Sequence, residues 1–270
     1  MNTTGLVTSL SEKLAAGDTV LLAWCCLGLP GLGEAMVREG YDAALFDMQH
    51  GSFDFAGAAR GIELAALAGK PSMVRIPVGD FATAQRLLDN GASGIVAPMI
   101  NSVADARAFA ANVKFPPLGE RSWGPSRTLQ IEGRPNLMEF LARANKAQLA
   151  IAMIETREAL EAIDDILAVP GIDGVLLGPA DLSIALTDGA RVNAEDRVVD
   201  ESLDVIADAA RRAGKIASSF CGSGQRARKL IDKGFRLVSA GLDISVVRLG
   251  ARAELAAAKG GGGAASGTGY

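Results

Sequence analysis

Residues 149–182 read LAIAMIETREALEAIDDILAVPGIDGVLLGPADL, and they carry one full cycle of the fold. An unbroken apolar run opens the stretch, an amphipathic segment over 158–167 follows, and a second apolar run over 174–178 ends in Gly-Pro-Ala-Asp. Both apolar runs lack the alternation of a sheet with one wet face, as expected of parallel strands buried on both sides. The same cycle extends outward in both directions. Strand-like runs lie at 19–24, 43–48, 72–77 and 94–99 before it, and at 215–220 and 236–241 after it. Helix-like stretches at 53–68, 82–90, 103–113 and 201–213 separate them. Eight such strands alternating with helices, in a chain of 270 residues, predict an α/β fold of the closed (β/α)8 TIM-barrel type. The competing architecture is an open doubly wound sheet. Gly28, Gly31 and Gly33 follow the first strand but do not fit G-x-G-x-x-G, so they are expected to form a tight strand-to-helix loop.

Composition sets the boundaries. Hydrophobic residues make up 49% of the chain and charged residues 21%, which supplies a large core and excludes disorder. A formal charge of −4, with no dense basic stretch, argues against a nucleic-acid partner. No signal peptide or membrane span is visible, and Cys25, Cys26 and Cys221 cannot all pair, so a reduced cytoplasm is the expected location. One catalytic domain over residues 1–259 and a flexible Gly-rich tail over 260–270 are the expected divisions. Residues 115–135, rich in Pro and Gly, read as a long irregular loop.

In a (β/α)8 barrel the chemistry lies at the carboxyl ends of the strands. That rule selects Trp24 after the first strand, Asp47, Gln49 and His50 after the second, and Arg75 in the third. Glu155 follows the fifth and Gly178-Pro179-Ala180-Asp181 the sixth. His50 is the only histidine, and a neighbouring Asp47 could hold its tautomer as a general base; Asp47 also reads as a loop cap. Glu155 and Asp181 suit a hard divalent cation, although each could equally cap the helix after it. Arg75, inside the apolar run MVRIP, points to recognition of an anion in the site. Lys70 and Lys215 stand at strand beginnings, the wrong end for a Schiff base, so any carbanion would need a metal.

These motifs, in order, resemble the metal-dependent pyruvate aldolases. That family includes the 4-hydroxy-2-oxoheptanedioate and 2-keto-3-deoxy-sugar-acid aldolases and is related to the citrate lyase beta chain. The resemblance rests on Glu34 and Gly40 in PGLGEAMVREGYD, then LFDMQHG, MVRIP, LDNGASGIVAPMI, FPPLGERSWGP, IAMIET and GVLLGPADLS, and spans about residues 7–258. It implies a phosphoenolpyruvate/pyruvate-type barrel and reversible aldol cleavage of a 2-oxo acid adduct into pyruvate or hydroxypyruvate and an aldehyde. It also implies Mg²⁺, Mn²⁺ or Co²⁺ held by Glu155 and Asp181, with Arg75 on the keto oxygen. His50, paired with Asp47, becomes the acid/base acting through a metal-bound water. The backbone at Gly178, Pro179, Ala180 and Asp181 would receive the substrate carboxylate, and Trp24 and Gln49 would complete the substrate-binding set. Gln49 departs from the Glu that much of the family carries beside the histidine, which bears on donor preference. The family further implies a homohexamer built as a trimer of dimers, with the last helix exchanged and the loop after the fourth strand reaching a neighbour's site. Two alternatives remain. One is an acyl-CoA lyase of the malyl-CoA or citryl-CoA type using Arg121, Arg127 and Arg134; the other is a non-catalytic ligand-binding barrel.

Overall fold

The computed structural model describes residues 7–133 and 136–260. Eight strands run β1 (Val20–Cys25), β2 (Ala43–Asp47), β3 (Ser72–Arg75), β4 (Gly94–Ala97), β5 (Leu149–Ile154), β6 (Gly174–Leu177), β7 (Ile216–Ser219) and β8 (Leu237–Leu242). They pair in chain order, all parallel, and β8 closes on β1, as a TIM barrel requires. All eight expected strands are present, each within a few residues of its expected place.

The two-residue period of a strand sorts side chains into two cores. Leu22 and Trp24, Leu45, Met73, Val96, Ile151 and Met153, and Leu176 fill the barrel interior. Leu10 and Leu14 of α1 (Leu10–Ala15) plug its amino-terminal end. Cys25, Phe46, Val74, Ile95, Ala152 and Val175 face outward and pack under the helices. The same parity carries Asp47 and Arg75 inward at the carboxyl ends of β2 and β3, and brings Glu155 inward two residues past Met153. The site is therefore fixed by strand register before any loop is considered.

Two helices approach the barrel closely at Phe46. A Cβ on Gly33 of α2 (Pro30–Arg38) would lie 2.7 Å from its ring, and one on Gly61 of α3 (Phe55–Leu67) 2.6 Å. This corrects the glycine-loop expectation. Pro30 starts α2, so only Gly28, with φ +69°, belongs to the turn, while Gly31 and Gly33 are helical. The segment expected as one helix over 158–167 divides at Ala162 into α8 (Arg157–Glu161) and α9 (Ile163–Leu167), and both keep apolar residues buried.

The expected loop at 115–135 also contains a helix, α6 (Ser126–Glu132). Thr128 and Ile131 bury one side of it, and Thr128 donates to the Leu88 carbonyl at 2.6 Å. Tertiary burial here outweighs a Pro- and Gly-rich composition. The loop lies toward the amino-terminal side of its own barrel: Arg121 donates to Asp89 and to Gln148, each at 2.6 Å, and Arg127 to Glu63 at 2.8 Å. These two arginines are thus engaged in ion pairs with their own barrel; Arg134 lies outside the described residues, as does the tail from residue 261. The final helix, α13 (Asp243–Ala258), buries only Asp243 and leaves Val246, Val247, Leu249 and Leu255 exposed. Among the described residues no helix is long and apolar enough to cross a membrane.

The Phe46 contact yields a test. In an open helix, Gly→Ala stabilises by about 1 kcal/mol. Gly61→Ala should instead destabilise by about 1–3 kcal/mol in urea unfolding, because the new methyl enters the Phe46 ring. Combining it with Phe46→Leu should cost less than the sum of the single changes.

Candidate active site

Asp47 and Arg75 face one another directly across the β2–β3 ladder. Arg75 Nε donates to Asp47 Oδ1 at 2.9 Å, and its Nη2 pairs with Oδ2. The aspartate is fully buried and the arginine is 8% exposed. The Trp24 indole N–H (3.3 Å) and the Cys26 thiol (3.4 Å) also donate to Oδ2, while the backbone N–H groups of Gln49 and His50 donate to Oδ1 at 3.0 and 3.2 Å. The guanidinium also lies over the Trp24 ring, 5.1 Å from its centroid, and Phe220 meets that ring edge-on. Among the described residues, one nitrogen, Nη1, meets only the Met153 sulfur, at 4.0 Å, which leaves it available to a ligand.

Burial alone would raise the Asp47 carboxyl. The Arg75 hydrogen bonds and charge, with the His50 N–H and the Trp24 indole, overcome this and hold it below the usual carboxylate range.

This arrangement revises two expected roles. Asp47 reaches His50 through the backbone N–H, and among the described residues the imidazole makes no hydrogen bond to it. Asp47 orients Arg75 and shapes the loop that carries His50, whose side chain is exposed. Trp24 is 1% exposed and supports the ion pair from beneath, so it is not an open substrate surface. Gln49 gives its backbone N–H to Asp47 Oδ1, and its buried Oε1 has no partner among the described residues.

Across the barrel mouth, Glu155 is 1% exposed. Its Oε1 accepts the Met99 N–H at 2.7 Å, and its Oε2 is buried without a partner among the described residues. Burial pushes its carboxyl up; the Met99 N–H and Arg75 pull down, and the Asp181 charge adds to the rise. The capping alternative fails for both carboxylates. Thr156 caps α8, accepting the Ala159 N–H at 3.1 Å, and Asp181 lies in the first turn of α10 (Pro179–Leu186), whose cap residue is Gly178. An orphaned carboxylate oxygen facing a second negative charge fits a divalent cation. Among the described residues no group of three or more His, Cys, Asp or Glu gathers, so two carboxylates would leave most coordination positions to water and substrate.

Within the Gly178–Asp181 turn the donors narrow. The Gly178 N–H is spent on the Ile154 carbonyl at 3.1 Å and Pro179 has none, so Ala180 and Asp181 offer the open first-turn N–H groups. Gly178 serves by lacking a side chain, since a Cβ there would stand 2.6 Å from Glu155 Oε2. Met99 gave no sign in the sequence: it adopts φ +56°, rare for a side-chain-bearing residue, and this turns its N–H onto Glu155. Two clefts at the other end of the barrel, one beside Lys70 and Gln148 and one beside Ile216 and Arg236, contain none of the expected site residues.

A closed parallel barrel with charged groups gathered at the carboxyl ends of its strands is the architecture of an enzyme. Residues 21–249 match the HpcH/HpaI aldolase/citrate lyase family, and the chain belongs to that family. It is 40% identical over 245 residues to a hydroxypyruvate/pyruvate aldolase of Rhizorhabdus wittichii, covering 90% of this chain and 95% of that one. It is 31% identical to a 4-hydroxy-2-oxovalerate aldolase of Novosphingobium aromaticivorans, covering 88% and 89%. The crystal structure of an HpcH/HpaI aldolase from Desulfitobacterium hafniense superposes with a TM-score of 0.84 at 30% identity, covering 93% and 96%. The family and the carbon–carbon lyase class expected from the motifs are thereby borne out.

The ion pair carries a stability test. Because Asp47 titrates lower folded than unfolded, its contribution is complete above the unfolded value near about 3.9 and is lost as pH falls through the folded value. Asp47→Asn strands the Arg75 charge and should cost on the order of 3–5 kcal/mol at neutral pH. In urea titrations that deficit should shrink as pH drops below about 4. A deficit unchanged down to pH 3 would contradict the assignment.

Proposed function

We propose that this chain catalyses reversible aldol cleavage and addition between a 2-oxo acid donor, pyruvate or hydroxypyruvate, and an aldehyde. The carrying observation is the presence of two unfinished groups at one barrel mouth: among the described residues, Arg75 Nη1 is held in place with only the Met153 sulfur near it, and Glu155 Oε2 is buried without a partner. Glu155 and Asp181 would hold the divalent cation, Mg²⁺, Mn²⁺ or Co²⁺. When bound, it supplies Lewis acidity to the oxygens of the 2-oxo acid. The Ala180 and Asp181 N–H groups receive the substrate carboxylate at the positive end of α10. Arg75 Nη1 donates to the keto oxygen and stabilises the negative charge that grows there as the enolate forms. Asp47 keeps the guanidinium in plane for that contact without reorganisation. His50, on the exposed loop after β2, takes the proton from the aldol hydroxyl during cleavage and returns it during addition. Gln49, with a buried acceptor unpartnered, lies where a donor substituent would be read.

Assembly into a homo-oligomer, a hexamer of three dimers, is supported by the exposed Val246, Val247, Leu249 and Leu255 of α13 and by Trp123. That indole is 45% exposed although it packs on Phe115 and Phe140. In such an assembly the loop after β4 would serve a neighbour's site and α13 would exchange between subunits.

Two measurements test this reading. Deuterium exchange at C3 of pyruvate should vanish on chelation and return with added Mg²⁺, Mn²⁺ or Co²⁺. Arg75→Ala should suppress exchange and cleavage together. His50→Ala should slow cleavage by roughly 10²–10⁴-fold while retaining part of the exchange. Exchange at the wild-type rate in Arg75→Ala would refute the division of labour. Light scattering of the active enzyme should give a multiple of the 27.8 kDa chain mass, and a single-chain mass would refute the assembly.

A further inference from the structure

Asp243 opens α13 and is the one residue of that helix buried in the barrel, at 1% exposure. Its Oδ2 accepts two successive backbone N–H groups of the loop after β1, those of Cys26 and Leu27, each at 2.9 Å. Its Oδ1 accepts the N–H of Ile244 at 2.7 Å. Cys26 is the point where several parts of the mouth converge. Its carbonyl accepts the Ser52 N–H at 2.8 Å, from the loop that carries His50, and its thiol donates to Asp47 Oδ2 at 3.4 Å. The two loops are in close contact, since a Cβ on Gly51 would lie 3.0 Å from Cys26 Cα and one on Gly28 2.8 Å from the Ser52 carbonyl.

Asp243 touches neither Arg75 nor Asp47, yet it fixes the main chain from which the Cys26 thiol reaches their ion pair. We infer that Asp243 is a positioning residue: through the backbone of Cys26 it sets the thiol on Asp47 and the His50 loop beside it, and so couples the base of the last helix to the active site. The inference rests on the roles proposed for Arg75 and His50. Charge-assisted acceptance of three N–H groups is within reach of a carboxylate and beyond an amide, which would turn an N–H₂ toward at least one of them. Loss of one such bond frees the loop locally and leaves the barrel closed. A sulfur donor bonds weakly, so its contribution to the rate is modest.

Alkylation of the thiols by iodoacetamide, followed by peptide mass, reads the coupling without using turnover. In the wild-type protein Cys25 and Cys221 are buried, and Cys26 is half-buried on a carboxylate. Asp243→Asn should label Cys26 roughly tenfold faster while Cys25 and Cys221 stay protected, with pyruvate C3 exchange falling about three- to tenfold in kcat. Cys26→Ala should lower the exchange similarly, and Cys26→Ser, which keeps a donor, should restore most of it. Unchanged Cys26 labelling in Asp243→Asn, or equal labelling of all three thiols, overturns the inference, the latter because it marks a general loosening. If Asp243→Asn does not fold, the Cys26 pair decides alone, and equal exchange in the Ala and Ser variants overturns it. A wild-type enzyme without exchange would count against the aldolase reading, and the labelling result would still stand.

Discussion

The ion pair between Arg75 and Asp47 is the constraint around which the mouth of the barrel is built. Two charges out of water are costly unless every lone pair and N–H is matched, and here the matching draws on three strands and two loops. Trp24 contributes its indole and its ring face, Cys26 its thiol, and the turn after β2 two backbone N–H groups. What the pair leaves unmatched is one guanidinium nitrogen. A buried cation with a single free donor is a rigid electrostatic tool, aimed by its partner and unable to swing toward solvent.

The opposite wall uses the reverse logic. Glu155 is held by one N–H, keeps one oxygen without a donor among the described residues, and feels the charge of Asp181 from the turn after the neighbouring strand β6. The positive wall is over-supplied with partners and the negative wall under-supplied. The proposed 2-oxo acid would fit between them with a counter-charge on the carboxylate side, so the electrostatics of the two walls and the proposed chemistry are one argument.

The barrel was legible because parallel strands covered on both faces must be apolar throughout, and charged residues at their ends then stand out. Arg75, Glu155 and Asp181 stand out that way. The partner of Asp47 was not, because spacing shows His50 three residues away, whereas the register that sets Arg75 opposite it is a property of the closed sheet. The link from Asp243 to Cys26 spans 217 residues and has no local signature. Met99 is ordinary in sequence and unusual only in its φ of +56°. In the Pro- and Gly-rich segment, composition correctly forecast irregularity but not α6, whose formation depends on Thr128 finding the Leu88 carbonyl.

The distribution of the two walls along the chain has a consequence for biosynthesis. Asp47 and Arg75 lie in the first four β/α units and Glu155 and Asp181 in the next two, joined across the β4–β5 seam where Gly94 meets Leu149. A nascent chain can lay β2 against β3 and neutralise its buried arginine long before the carboxylate wall leaves the ribosome. The two charge systems belong to different stretches of the chain, and they face one another in the closed ring formed by the seam and the β1–β8 pairing. Appearance of the site is thus a chemical report that the ring has closed.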